Sequence, residues 1–229
     1  FPYGGMAGFE GIFTISKEKS TTEEKYLMEV FSFVSTYGKV QGDSSVIKTI
    51  DKYKAWGSGL IVMDWTSGMY EYSSQAVMWH MLNNLKSPVS RLTFFNDGDK
   101  KKAEQKIIGS TGGVYSVSVS RTSDITGLMT AVADAGKGGD VPENNIEALL
   151  KGIRATENLS SVIMVADNKS PVRDMLLADS IRIPVHIILS SITGTYDKDY
   201  YTIAYKTNGS VHTPDKDYDS FQEMFADSS

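Results

Sequence analysis

Gly59-Leu60-Ile61-Val62-Met63-Asp64-Trp65-Thr66-Ser67-Gly68-Met69 decides how this chain is read. An unbroken apolar run, Leu60 to Met63, meets an acid, a hydroxyl and a glycine. Such a run before a turn suits a strand covered on both faces, the kind found inside a parallel sheet. Parallel sheets place their ligand sites beyond the carboxyl ends of their strands. Asp64 and Thr66 therefore fall where α/β proteins bind, and their oxygens suit a hard cation. The simpler alternative is a strand-end Asp that caps its own turn.

Working outward from this run, apolar strand-like segments alternate with segments of helical period. Strands are expected at 60–64, 92–95, 114–119, 162–166, 185–189 and 210–213. Met78, Met81, Leu82 and Leu85 mark one face of a helix over 74–85, and Ile146, Leu149, Leu150 and Ile153 mark another. For the second helix, Asp140 is the expected N-cap, with Pro142 in the first turn and Glu143 closing a capping box. Helices are also expected at 124–135, at 171–178 behind Ser170, at 200–207 and near 218–225. This alternation predicts an α/β fold: a Rossmann-like, doubly wound, mostly parallel six-stranded sheet flanked by helices. Residues 1–55 break the rhythm and are expected to form an N-terminal extension packed on a main domain at 56–229, with Leu27, Val30 and Phe31 on one helical face.

Composition removes several function classes. The net charge is −5 and no basic cluster exceeds Lys100-Lys101-Lys102, so nothing marks a nucleic-acid surface. No apolar run approaches the roughly 18 residues that span a bilayer. The absence of cysteine excludes disulfides, thiolate catalysis and Cys-ligated zinc. A start at Phe1 rather than Met fits removal of an upstream segment, which leaves a cytoplasmic and an exported location equally open. His80, His186 and His212 show no partner at catalytic spacing, and no Gly-x-Ser-x-Gly elbow is present. Trp65 and Tyr70 are expected to cover the core, and Asn96-Asp97-Gly98-Asp99 to form a turn.

Three loops carry acids that one sheet edge can bring together. They are Asp64-Trp65-Thr66-Ser67-Gly68, Gly136-Lys137-Gly138-Gly139-Asp140-Val141-Pro142-Glu143-Asn144 and Asp167-Asn168-Lys169-Ser170-Pro171. This oxygen-only set suits Mg²⁺, Mn²⁺ or Ca²⁺ over Zn²⁺ or copper. In this order the motifs resemble a von Willebrand factor type A domain over about residues 56–225, most closely the bacterial members of that superfamily.

The resemblance implies a metal-ion-dependent adhesion site that grips an acidic side chain of a protein partner through the open position of a divalent ion. By position it implies Asp64, Thr66, Ser67, Asp140 and Asp167 as metal ligands, and no catalysis. One departure weakens the match: the family has Ser four residues after the first Asp, whereas this chain has Gly68 there and Ser67 one position early. Two other expectations stay open, a metal-assisted hydrolase using Asp64 and a scaffold whose metal site has degenerated.

Overall fold

In a computed structural model of the chain, the described residues are 21–37, 43–83, 86–96, 98–136, 141–190, 196–220 and 222–223. The expected strands form at nearly the expected places: β1 (Leu60–Asp64), β2 (Arg91–Phe95), β3 (Val114–Ser118), β4 (Val162–Asp167), β5 (Val185–Ser190) and β6 (Ser210–His212). A seventh, β7 (Asp217–Tyr218), was not foreseen. It pairs antiparallel with β6 and covers what would otherwise be an open sheet edge. The sheet thus has seven strands rather than six, in the order β3-β2-β1-β4-β5-β6-β7. Its first six follow the doubly wound Rossmann order, and β1 pairs in parallel with both β2 and β4.

The helices are α1 (Thr21–Tyr37), α2 (Ser45–Lys52), α3 (Tyr70–Leu82), α4 (Thr122–Ala135), α5 (Asn145–Arg154) and α6 (Lys198–Thr207). Alternate residues of β1 divide the core into two layers. Ile61 and Met63 pack with α1 to α4, while Leu60 and Val62 pack with α5 and α6. Strand side chains alternate between faces, so one buried run serves both layers. Helix α3 is buried on nearly every side, as suits a helix between the sheet and a second helical layer. Its Gln75 bonds Ile47 N and Asp43 O, which ties α2 and its approach to this layer.

Several expectations are corrected. The helix expected at 171–178 does not form: Val172 makes a parallel bridge to Glu143, and only the 3-10 segment Met175–Ser180 follows. The Ser170-Pro171 pair starts no α-helix, because the backbone at Val172 is drawn into pairing across the molecule. Helix α3 begins at Tyr70 and stops at Leu82, earlier at both ends than expected. Tyr218 lies in β7, not in a terminal helix, and 224–229 fall outside the described residues, as do 1–20. On α1 it is Phe33, not Phe31, that joins Val30 in the core, with Phe31 42% exposed. The Leu27 side chain falls outside the described residues.

Two glycines make opposite demands. After α6, Asn208 takes the left-handed conformation (φ 56°), and Gly209 passes so close to β5 that a Cβ would lie 1.9 Å from the Val185 carbonyl oxygen. Gly127, inside α4, has nothing within 4 Å of a built Cβ. Gly209→Ala should therefore destabilise the fold by about 3 kcal/mol or more, since backbone cannot move aside cheaply. Gly127→Ala should stabilise it by about 0.4–1 kcal/mol through the unfolded chain. Chemical denaturation of the two variants checks both signs.

Candidate metal centre

Strands β1 and β4 are neighbours whose connections leave in opposite directions, so their carboxyl ends open onto a shared crevice. Asp64 ends β1 and Asp167 ends β4. Each forms the same local turn: Asp64 Oδ1 accepts from Thr66 N at 2.8 Å, and Asp167 Oδ1 accepts from Lys169 N at 2.9 Å. The capping role is thus real at both positions, and each carboxylate has a second oxygen besides.

The third acid is Glu143, which the sequence reading had assigned to a capping box. Oxygens of Asp64, Glu143 and Asp167 all lie within 4.8 Å of one another. Glu143 is held there by its own backbone, because its N–H donates to Pro171 O at 3.0 Å and its carbonyl accepts from Arg173 N at 2.7 Å. The segment it grips is pinned in turn by the start of α6: Asp199 Oδ2 accepts from Val172 N, and Asn168 Oδ1 accepts from Asp197 N.

Asp140, the expected second-loop ligand, lies outside the described residues. Thr66 lines a cleft of about 10 Å³, room for one water-sized group, together with Phe95, Asn96, Gly112, Val114, Glu143 and Asn144. Ser67 and Gly68 are exposed. Trp65 is core, as expected, fully buried with its Nε1–H donating to Met129 O. Asn96 is not a solvated turn residue but a buried one, its Nδ2 donating to Val132 O and Gly136 O.

Buried polar atoms border the acids. Asn144 lines the cleft and Ser190 lies on β5 opposite Asp167, and Asn144 Oδ1 and Ser190 Oγ are buried with no hydrogen-bond partner among the described residues. The Tyr200 hydroxyl, fully buried, accepts from Asn145 Nδ2 at 3.1 Å. Burial pushes its pKa well up, and the negative charges of Glu143, Asp167 and Asp64 push it further, so all three acids act on the same interior. Carboxylates this close repel one another when ionised, a repulsion that a cation relieves. Carboxylate oxygens that all lie within 4.8 Å of one another can share one hard dication of the Mg²⁺, Mn²⁺ or Ca²⁺ kind.

A different acid caps α5. Asn144 makes no side-chain cap, and Asp174 instead accepts from Ile146 N at 3.1 Å and Glu147 N at 2.6 Å. The histidines also depart from expectation. Asp217 Oδ1 bonds His212 Nδ1 and Ser210 Oγ bonds His212 Nε2, each at 2.7 Å, the hydrogen-bond order of an acyl-transfer triad. Ser210 Oγ is buried, however, and already bonded on its other side to His186 Nδ1 at 2.8 Å, so it is not presented to a substrate. The sequence carried a partial signal, since residues i and i+2 of a strand share a face.

Comparison with protein-family models, curated proteins and solved structures finds no match for this chain.

Asp174 generates a test of how α5, and with it Glu143, is held. Burial pushes its pKa up to about 6 against the opposing backbone N–H bonds. An acid with a raised folded-state pKa loses stability as pH climbs from its ordinary value through the folded one, here from 3.8 to about 6. Asp174→Asn sheds the buried charge but keeps only one of the two acceptors, so at pH 7.5 it should cost less than Asp174→Ala and should flatten that window. Asp174→Ala removes the acceptor and should cost about 1–2 kcal/mol. Denaturation curves at pH 4 and 7.5 distinguish the two.

Proposed function

We propose that this chain is a non-enzymatic binding module of the von Willebrand factor type A kind, in which a divalent cation held by Asp64, Glu143 and Asp167 receives an acidic side chain of a protein partner. The observation that carries this reading is the convergence of three carboxylates from separate loops at the switch point of a doubly wound sheet. Asn144, a residue of the adjoining cleft whose Oδ1 is buried with no hydrogen-bond partner among the described residues, is a second feature that a bound, hydrated ion would satisfy. Thr66 lies on the same cleft and supplies a hydroxyl, while Asp140 and Ser67 enter the ligand set by the resemblance alone.

Partner chemistry follows from charge. Three carboxylates against a dication leave one negative charge, which by itself discourages an acidic partner. Lys169 offsets it, because its ammonium stands 3.7 Å from where a Cβ on Gly68 would lie, at the exposed side of the same loops. A partner carboxylate would thus meet both the cation and an ammonium, a charge-assisted contact. Among the described residues no helix is long and apolar enough to cross a membrane.

Titration with Mg²⁺, Mn²⁺ and Ca²⁺ tests the reading. Binding only to the folded state adds about 2.7 kcal/mol at a hundredfold excess over Kd, so the melting temperature should rise with each ion that binds. Asp64→Ala and Glu143→Gln should abolish the rise, and Asp64→Ala should leave the metal-free fold intact or stabilised by relief of repulsion. Gly68→Ser with Ser67→Gly, which restores the family order, meets only ordinary contact at Lys169 and should tighten binding. A melting curve unmoved by millimolar ions in both the native and the restored sequence leaves the scaffold reading.

A further inference from the structure

A second polar system lies at the other end of β5, away from the acids. It runs in one chain of hydrogen bonds from His186 on β5, through Ser210 and His212 on β6, to Asp217 on β7, whose Oδ2 meets Lys52 of α2 at 2.6 Å. Aromatic rings close the circuit. Trp56 stacks flat on His186 at 4.0 Å and on Tyr53 at 4.6 Å, Tyr53 lies 4.5 Å from the His212 ring, and the Lys52 ammonium sits over Tyr53. This cluster fastens the end of α2 and the 3-10 segment Lys54–Trp56 to the β5–β7 edge.

A count of protons fixes its direction. Asp217 is held ionised: burial pushes its pKa up, but the bonds from Lys52 and His212 outweigh this and bring it below the usual range. The His212 Nδ1 facing it therefore carries the hydrogen, which leaves Nε2 of the neutral ring as an acceptor. Ser210 has a single hydrogen and gives it to that Nε2. Its oxygen must then accept from His186 Nδ1–H. Every donor in the chain is matched to one acceptor while both rings are neutral.

A further proton is disfavoured differently on the two rings: on His186 it would enter at Nε2, outside the chain, and meets the cost of burial. On His212 it would enter at Nε2, so that Nε2–H and the Ser210 hydroxyl hydrogen oppose each other across a buried 2.7 Å contact. The groups around His212 divide: Asp217 and Asp219 (3.9 Å from Nε2) favour the charged ring, and Lys52 opposes it. Burial outweighs all of these and lowers the His212 pKa, while burial with the charge of His212 lowers His186 to about 4.

We propose that the His186–Ser210–His212–Asp217–Lys52 chain is an acid-opened latch, which holds the Lys54–Trp56 segment and the β6–β7 hairpin on β5 at neutral pH and releases them on acidification. The sign follows from linkage. A histidine whose folded-state pKa lies below its unfolded one favours the closed form in full above about 6.5, and this preference is lost as pH falls through the interval down to the folded value. The latch is independent of whether the acid cluster binds a cation.

Amide hydrogen exchange of the full chain at pH 7.5 and 5.0, corrected for intrinsic rates, tests it together with NMR titration of the histidine rings. Protection at 54–56 and 210–218 should fall by about tenfold or more at pH 5.0, the factor that one pKa unit of preference supplies, while β1 and β4 keep theirs. His212 should show hydrogen on Nδ1 and titrate below 6.5. His212→Phe alone should weaken the pH dependence and leave the part that the buried His186 ring supplies, and His186→Phe with His212→Phe, which leaves the chain no ring to protonate, should remove it. Equal protection at both pH values, or a His212 ring of the unmodified protein that titrates near 6.5, overturns the latch.

Discussion

The parallel pairing of β1 with both β2 and β4 is the constraint on which the other features depend. It requires the chain to leave the sheet in opposite directions from adjacent strand ends. The gap so created cannot be filled by backbone from either connection, and the strand-end side chains face each other across it. Because β1 supplies side chains to both core layers, its position is fixed from both sides, with Leu60 and Val62 in one layer and Ile61 and Met63 in the other. A one-residue slip would exchange the two sets and carry Asp64 to the wrong face. Burial of this strand thus positions the carboxylate at its end, and the fold fixes the site before any ion is considered.

The second-loop acid is placed by a different means. Glu143 sits outside any regular element, yet its backbone is hydrogen-bonded on both sides to residues 171 and 173, and the helix that follows it is capped by Asp174 from the same segment. The loops bearing Glu143 and Asp167 therefore move as one body. A mutually repelling pair of carboxylates persists in a folded chain only when the surrounding structure over-determines it, as backbone pairing does here. Asp174 bears part of this load, since the charge that satisfies the α5 N-terminus is itself expensive to bury.

How much of this was legible in the sequence differs by element. Strands β1, β2, β4 and β5 were plain because each is a short, mostly apolar run bounded by turn residues. β7 was not, because two residues carry no period. Asp64 and Asp167 could be named from their place at strand ends. Glu143 stood in view but carried the pattern of a capping box, and the competing signal was tertiary: Asp174, far along the chain, caps α5 in its stead. The same exchange erased the helix expected behind Ser170, since residues 171–173 are committed to Glu143. On α1 the shift from Phe31 to Phe33 is a matter of phase, with Val30 and Phe33 at i and i+3. The Ser210–His212 pair was half legible through strand alternation, but its third member comes from the unforeseen β7.

Strand β5 carries both polar systems, with His186 near its start and Ser190 beside Asp167 at its end. Four residue steps of extended chain separate them, about 13 Å. Between them Ile187, Ile188 and Leu189 are buried, packed into the layers on both faces. Coupling between two sites needs an element with two arrangements that each site biases, and a strand hydrogen-bonded on both sides within a close-packed core offers only one. The mobile element of the latch is instead the β6–β7 hairpin with Lys54–Trp56, none of which holds the carboxylates. Protonation at one end of β5 and cation binding at the other therefore act on separate parts of the molecule. Helix α6 leads from β5 to β6, and its Asp199 and Tyr200 reach the loops around the acids, which makes it one physical link between the two systems.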